Sequence, residues 1–195
     1  LVSQTIALTI GMMVGAIAGV AGGRTDGLLM RVTAVMLALP PLLLALLLMA
    51  LLGRSSAVVM LAIGLASWPP MARLVRGQVL QTRELLFVEA ARAAGANTGR
   101  IMFLHILPNI LGPVIVQVTF GIPQAILAEA FLSFIGLGAP PPTPSWGLML
   151  ADGFRWVRLS PHLVLFPGLA ISMTLMAFNF LGDGVRDALD PRQRA

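Results

Sequence analysis

The chain has no cysteine and no lysine among its 195 residues. Without cysteine there is no disulfide framework, no thiol nucleophile and no thiolate metal site. Without lysine there is no Walker A phosphate loop, which needs that side chain on the nucleotide phosphates. If ATP drives this protein, another polypeptide binds it. Charge is scarce as well. Only 11% of the residues are charged, where a soluble domain has about a quarter. The stretches 1–23, 32–53, 55–72, 101–128 and 159–182 contain no Asp, Glu, Lys or Arg. An ion-coupled carrier or proton pump usually keeps such groups inside the bilayer, despite a cost of about 2.5–3.5 kcal/mol each. A membrane-embedded enzyme has little support, because no nucleophile–base pair or metal cluster falls at membrane depth. The net charge of +5 is spread over short loops and forms no single face for nucleic acid. The chain also has no initiator Met and no polar leader. Its first apolar block lacks a basic start and is too long for a signal peptide, which suggests a truncated N-terminus.

What remains is a set of long apolar runs. About 20 apolar residues in a helix cross a hydrocarbon core of about 30 Å, so the runs predict five spans at 1–21, 32–52, 57–74, 110–130 and 163–181. The expected fold is an all-α polytopic transmembrane helix bundle, a single domain over 1–195. Cytoplasmic loops carry the positive excess. Arg24, Arg31, Arg76, Arg83, Arg92, Arg100, Arg186, Arg192 and Arg194, with Arg73 at the edge, fall on one side. Only Arg54, Arg155 and Arg158 fall on the other. The segment 76–108 and the C-terminus are therefore expected in the cytoplasm. Trp68, Trp146 and Trp156 are expected at the interfaces. Gly11, Gly15 and Gly19 form a small-residue ridge for close helix packing. Pro40-Pro41, Pro113, Pro123 and Pro167 predict kinks or hinges in or beside the spans. Glu129 falls at the outer end of the fourth span, as an interfacial or packing residue. Asp183 and Asp187 belong to a solvated helix end. His105 and His162 lie at opposite surfaces, so they cannot share a metal ion within one chain.

Between the third and fourth spans lies a charged island, 76–109. Residues 84–94 (ELLFVEAARAA) have the composition of a helix, with Leu85, Val88, Ala91 and Arg92 on adjoining faces. Gly95 stands where a C-terminal cap is expected. Asn97 can cap a second short helix, 99–107, which Pro108 either stops or passes on as the start of the fourth span. The result is a bent helix–turn–helix with Ala90, Ala91, Ala93 and Ala94 near the bend. Such a knob can enter a groove closely, and Glu89 can add a charge-assisted bond to a partner.

This island resembles the signature loop of ABC importer permeases. Glu89-Ala90-Ala91, Gly95 and Leu107-Pro108 match its motif. His105 stands where the general motif has Ile, giving the H-I-L-P-N form of the peptide and nickel importer branch. EAFLSFIGLG (129–138), PPTPSWG (141–147), FNFLGDGVRDALDPR (178–192) and GGRTDGLLMR (22–31) are similar to the same branch, so the resemblance covers nearly the whole chain. It points to the C-type permease of dipeptide, oligopeptide or nickel importers, which usually has six spans, of which five would be present. It implies the type I importer permease fold in a bacterial inner membrane, with Glu89, Ala90, Ala91, Gly95, Asn97, Leu107 and Pro108 docking on an ATPase subunit. It also implies a paralogous permease, two cytoplasmic ATPases carrying ATP and Mg, and an extracytoplasmic solute-binding protein. Neither the substrate nor its contacts follow from the sequence.

Overall fold

A computed structural model describes residues 1–189, which form nine α-helices and no strand. Arg192 and Arg194, used above for orientation, lie outside the described residues. The first helix, α1 (Val2–Ala21), ends at Gly22. Gly22 and Gly23 both have positive φ, 62° and 52°, a region glycine enters without a Cβ penalty. The chain therefore turns directly into α2 (Gly23–Ala38).

The second predicted span is not one helix. It is broken into α2 and α3 (Pro41–Leu52), which meet at 90°. The residue before a proline is pushed out of the helical region. Leu39 precedes Pro40 and is extended, with φ −84° and ψ 129°. Pro40 precedes Pro41 and has φ −57° and ψ 124°. Among the described residues, four helical segments are long and apolar enough to cross a membrane, or five if the bent pair counts as one span.

The helix α4 (Ser56–Thr82) starts with Ser55 as its cap, whose Oγ accepts from the Val58 amide at 3.2 Å. It runs eight residues beyond the predicted end of the third span and contains Pro69 and Pro70. That length corrects the placement of Trp68. The residue lies mid-helix, 8% exposed, with its indole packed against protein around Ala7 and Ala72.

The packing between α1 and α4 is the most extensive in the molecule. A Cβ on Gly11 would come 2.5 Å from Met71 Cβ, on Gly15 2.5 Å from the Ala72 carbonyl oxygen, and on Gly19 2.6 Å from Val79 Cγ1. Met71, Val75 and Val79 repeat every four residues like the glycines they meet, so the ridge of one helix fills the groove of the other. The rest of the bundle is α7 (Leu107–Phe134) and α9 (His162–Leu189). Between α7 and α9 lies a helix that the sequence reading passed over, α8 (Trp146–Phe154), capped by Ser145. Along α9 only Pro167, Ile171 and Gly182 are buried. Its exposed Phe166, Met173, Met176 and Phe180 suit hydrocarbon. Trp146 and Trp156 are both exposed around α8.

Candidate functional site

The charged island forms an elbow at the Arg-rich end of the bundle. From the end of α4 the chain turns through Arg83, Glu84 and Leu85 into α5 (Leu86–Ala93). One residue roots this helix. Val88 is fully buried, in a cluster with Val79, Ile101, Met102 and Ile106. Ala91 and Ala96 pack against the same cluster. Glu89, Ala90, Arg92, Ala93 and Ala94 remain exposed.

Gly95 has φ +82° and carries the bend. Its amide donates to the Arg92 carbonyl at 3.0 Å, and the Ala96 amide donates to the Ala91 carbonyl at 3.0 Å. This pair of bonds is the Schellman closure, in which orphan carbonyls of the helix end find donors. Asn97 then caps α6 (Thr98–Ile101), its Oδ1 accepting from the Arg100 amide at 2.8 Å.

The second short helix does not stop at Pro108. It widens into a π-helical turn, Met102–Ile106, and runs on into α7. Proline has no amide hydrogen, so position 108 leaves carbonyls of the preceding turn without a donor. One residue on, the Asn109 side chain adds a separate bond, its Nδ2 donating to the His105 carbonyl at 2.6 Å. Leu107 is half-buried against the cluster around Val88, while Pro108 is exposed.

Two polar ties fix the end of α4 to the first helices. Arg76 makes a bidentate pair with Asp26, Nε to Oδ1 and the second guanidinium nitrogen to Oδ2, both at 2.5 Å. Arg83 donates to the Gly19 carbonyl at 3.0 Å and pairs with Glu84 at 2.9 Å. Asp26, Arg83 and Asn109 were not singled out for these roles by the sequence reading. Asp26 and Arg76 are 50 residues apart, and no local periodicity connects them. The surface left between these ties is small, partly apolar and charged at Glu89 and Arg92, with Leu86, Phe103 and Leu104 exposed beside it. It holds no nucleophile–base arrangement, and its geometry suits docking.

At the opposite end, Arg54 donates to the Gly136 carbonyl at 3.2 Å. Glu129 accepts from Ser133 Oγ at 2.7 Å and lines a cavity of about 670 Å³ with Trp146 and Thr143. A second cavity of about 310 Å³ lies between α1, the α2–α3 bend, α4 and α7.

Residues 11–195 match the binding-protein-dependent transport system inner membrane component family. The chain belongs to that family. It is 44% identical over 187 residues to the oligopeptide transport system permease protein OppC of Bacillus subtilis (strain 168), aligning 96% of this chain with 61% of that protein. It is 47% identical over 191 residues to the dipeptide transport system permease protein DppC of Alkalihalophilus pseudofirmus, covering 98% and 63%. A glutathione transport system permease protein, GsiD of Pectobacterium atrosepticum, is 42% identical over 193 residues, covering 99% and 64%. The chain thus spans less than two thirds of the length of these relatives. A chain of the MetNI methionine ABC transporter, solved in inward-facing conformations, shares the fold with a TM-score of 0.76 at 17% identity, covering 97% of this chain and 90% of that one. This membership makes the chain a multi-pass inner-membrane component with the type I importer permease fold.

Proposed function

We propose that this inner-membrane component is the permease subunit of an ATP-driven ABC importer. It forms half of the translocation pathway for peptides or a related small solute such as nickel. The observation that carries this reading is the elbow from Thr82 to Asn109. Its outer surface is free, yet its root is fixed by Val88 and by the helix that continues into α7. A docking element needs that combination, because a partner's motion then reaches the spans and is not lost in a flexible loop. On this reading 76–108 is the coupling segment and, with the C-terminus, faces the cytoplasm. Glu89, Ala90, Ala91, Gly95, Asn97, Leu107 and Pro108 form or shape the surface that meets an ATPase groove.

The remaining parts of the machine are separate polypeptides. Two cytoplasmic ATPases carry ATP and Mg, a paralogous permease supplies the second half of the pathway, and an extracytoplasmic solute-binding protein delivers the cargo. This chain makes and breaks no bond. Its spans alternate between two openings, and the cargo biases that equilibrium only through different affinity for the two states. The oligopeptide and dipeptide relatives support peptide as the cargo class.

The test uses assembled complexes carrying Glu89→Ala or Gly95→Asp. Cargo-stimulated ATPase activity and uptake should fall at least tenfold, with the amount of protein in the membrane unchanged. Normal uptake by both variants would overturn the proposal. Purification without any ATPase, with transport intact, would favour an ATP-independent carrier or channel.

A further inference from the structure

The 310 Å³ cavity contains a polar set that the elbow does not explain. Gln4, Ser67, Gln117 and Gln124 line it among apolar neighbours. Gln4 is 8% exposed and locked in place, its Nε2 donating to the Gly121 carbonyl at 2.7 Å. Ser67 is turned back on its own helix, donating to the Ile63 carbonyl at 2.7 Å. Gln117 is half-buried and Gln124 is exposed at the cavity's open side, and among the described residues neither side chain has a hydrogen-bond partner. Their seven-residue spacing puts both on one face of α7, two turns apart. Gly121 lies between them, and the Gln4 amide rests on it.

The broken helix adds unsatisfied acceptors at the same place. In a continuous helix the carbonyls of Met36 and Leu37 would accept from the amides of residues 40 and 41. Both of those residues are proline, which has no amide hydrogen. No backbone donor from outside the helices reaches either carbonyl. Met36 and Leu37 line the cavity too. Irregular backbone at membrane depth is tolerated where it is buried in protein or lines a water-filled space. Amides without partners carry the same requirement, because hydrocarbon offers them no hydrogen bond.

Resting on the importer reading above, we propose that this cavity is a water-filled stretch of the pathway in which Gln117 and Gln124, positioned beside Gln4, bind neutral amide groups of the cargo. A glutamine side chain presents an N–H donor and a carbonyl acceptor, the same pair that a peptide bond presents in reverse. The lining has no Asp, Glu, His or Arg, so a metal cation or a charged side chain finds no counter-charge there. A site of this kind reads the backbone of a peptide and tolerates varied side chains.

These 195 residues contain no cysteine, and any cysteine elsewhere in the complex is replaced by serine before the test. Single variants Gln117→Cys and Gln124→Cys, in the assembled complex in open membrane fragments, are treated with a charged methanethiosulfonate reagent. Phe180→Cys, on the exposed face of α9, and Gly99→Cys, on the elbow, serve as lipid and water references. Both glutamine positions should label at least tenfold faster than position 180, and tri-alanine should slow them. In a second arm, Gln117→Leu combined with Gln124→Leu should raise the KM for tri-alanine uptake at least fivefold. N-acetyl-tri-alanine amide, which lacks terminal charges, should shift equally. Labelling at 99 without labelling at 117 and 124, or an unchanged KM, overturns the inference. A wild-type complex that takes up no tri-alanine would instead sink the peptide reading, and labelling alone would then decide whether the cavity is wet.

Discussion

Between α1 and α4, three glycines let two apolar helices touch along a shared four-residue repeat, with almost no side-chain hydrogen bonding across the contact. The elbow at α5 and α6 is held in the opposite way. A Schellman closure, an asparagine cap, the Arg83 tie at its base and one buried valine fix it, while most of its surface stays free. Lipid tails give helices no hydrophobic reason to associate, so close fit must do that work within the bilayer. In water the backbone groups at helix ends must find partners, so caps do the work at the elbow. Damage to the first region should therefore remove folded protein. Damage to the second should leave the bundle standing and uncouple it.

The largest effect is expected from Gly15→Val. A Cβ there already meets the Ala72 carbonyl oxygen at 2.5 Å, and backbone cannot step aside as a flexible side chain can. Overpacking costs about 1–3 kcal/mol and sometimes more. The variant should lose most of its membrane-resident protein, as read by yield and thermal stability in detergent. Wild-type yield would break the comparison from the bilayer side.

Val88→Ala comes next. It removes two methyl groups from a fully buried site, which should cost about 1–3 kcal/mol. That loss is expected to appear as faster proteolysis within 83–100 and lower ATPase coupling, with normal protein yield. An equal loss of yield in both variants would mean that elbow and bundle fold as one unit.

Asp26→Asn probes the bundle just before the elbow begins, since the pair with Arg76 joins α2 to α4. The pair is only partly buried, with side-chain exposures of 16% and 32%, so an effect of about 1 kcal/mol is expected. The exchange Asp26→Arg with Arg76→Asp should recover part of the lost uptake if the attraction itself matters. Asn97→Ala is the mildest change, removing a cap worth about 1 kcal/mol from a four-residue helix. Amide exchange should rise at 98–101 while the Gly15 region is unaffected.

The regions also differ in how far the sequence disclosed them. The glycine repeat and the Gly95–Asn97 pair were readable because their causes are local: a four-residue spacing, a positive φ, a cap two residues on. The 90° break at Leu39-Pro40 was also marked, by the paired prolines. The apolar run continues across it, so the size of the turn, 90° between two separate helices, was not legible. The burial of Trp68 was hidden because its partner Ala7 is far away in sequence. The Asp26–Arg76 pair was hidden for the same reason. Uncharged glutamines attract little notice in a search for charges within spans, and only the cavity brought Gln4, Gln117 and Gln124 together.

The helix that leaves the elbow has a mechanical consequence. Residues Thr98–Phe134 form one run of 37 residues. At 1.5 Å per residue it is about 55 Å long, well beyond the hydrocarbon thickness of about 30 Å. A rod of that length acts as a pointer: a tilt of about 5° at one end sweeps the other through roughly 5 Å, close to one helix turn. Pro113 and Pro123 divide the rod, so how stiff they leave it sets how much of that sweep arrives at the far side of the membrane.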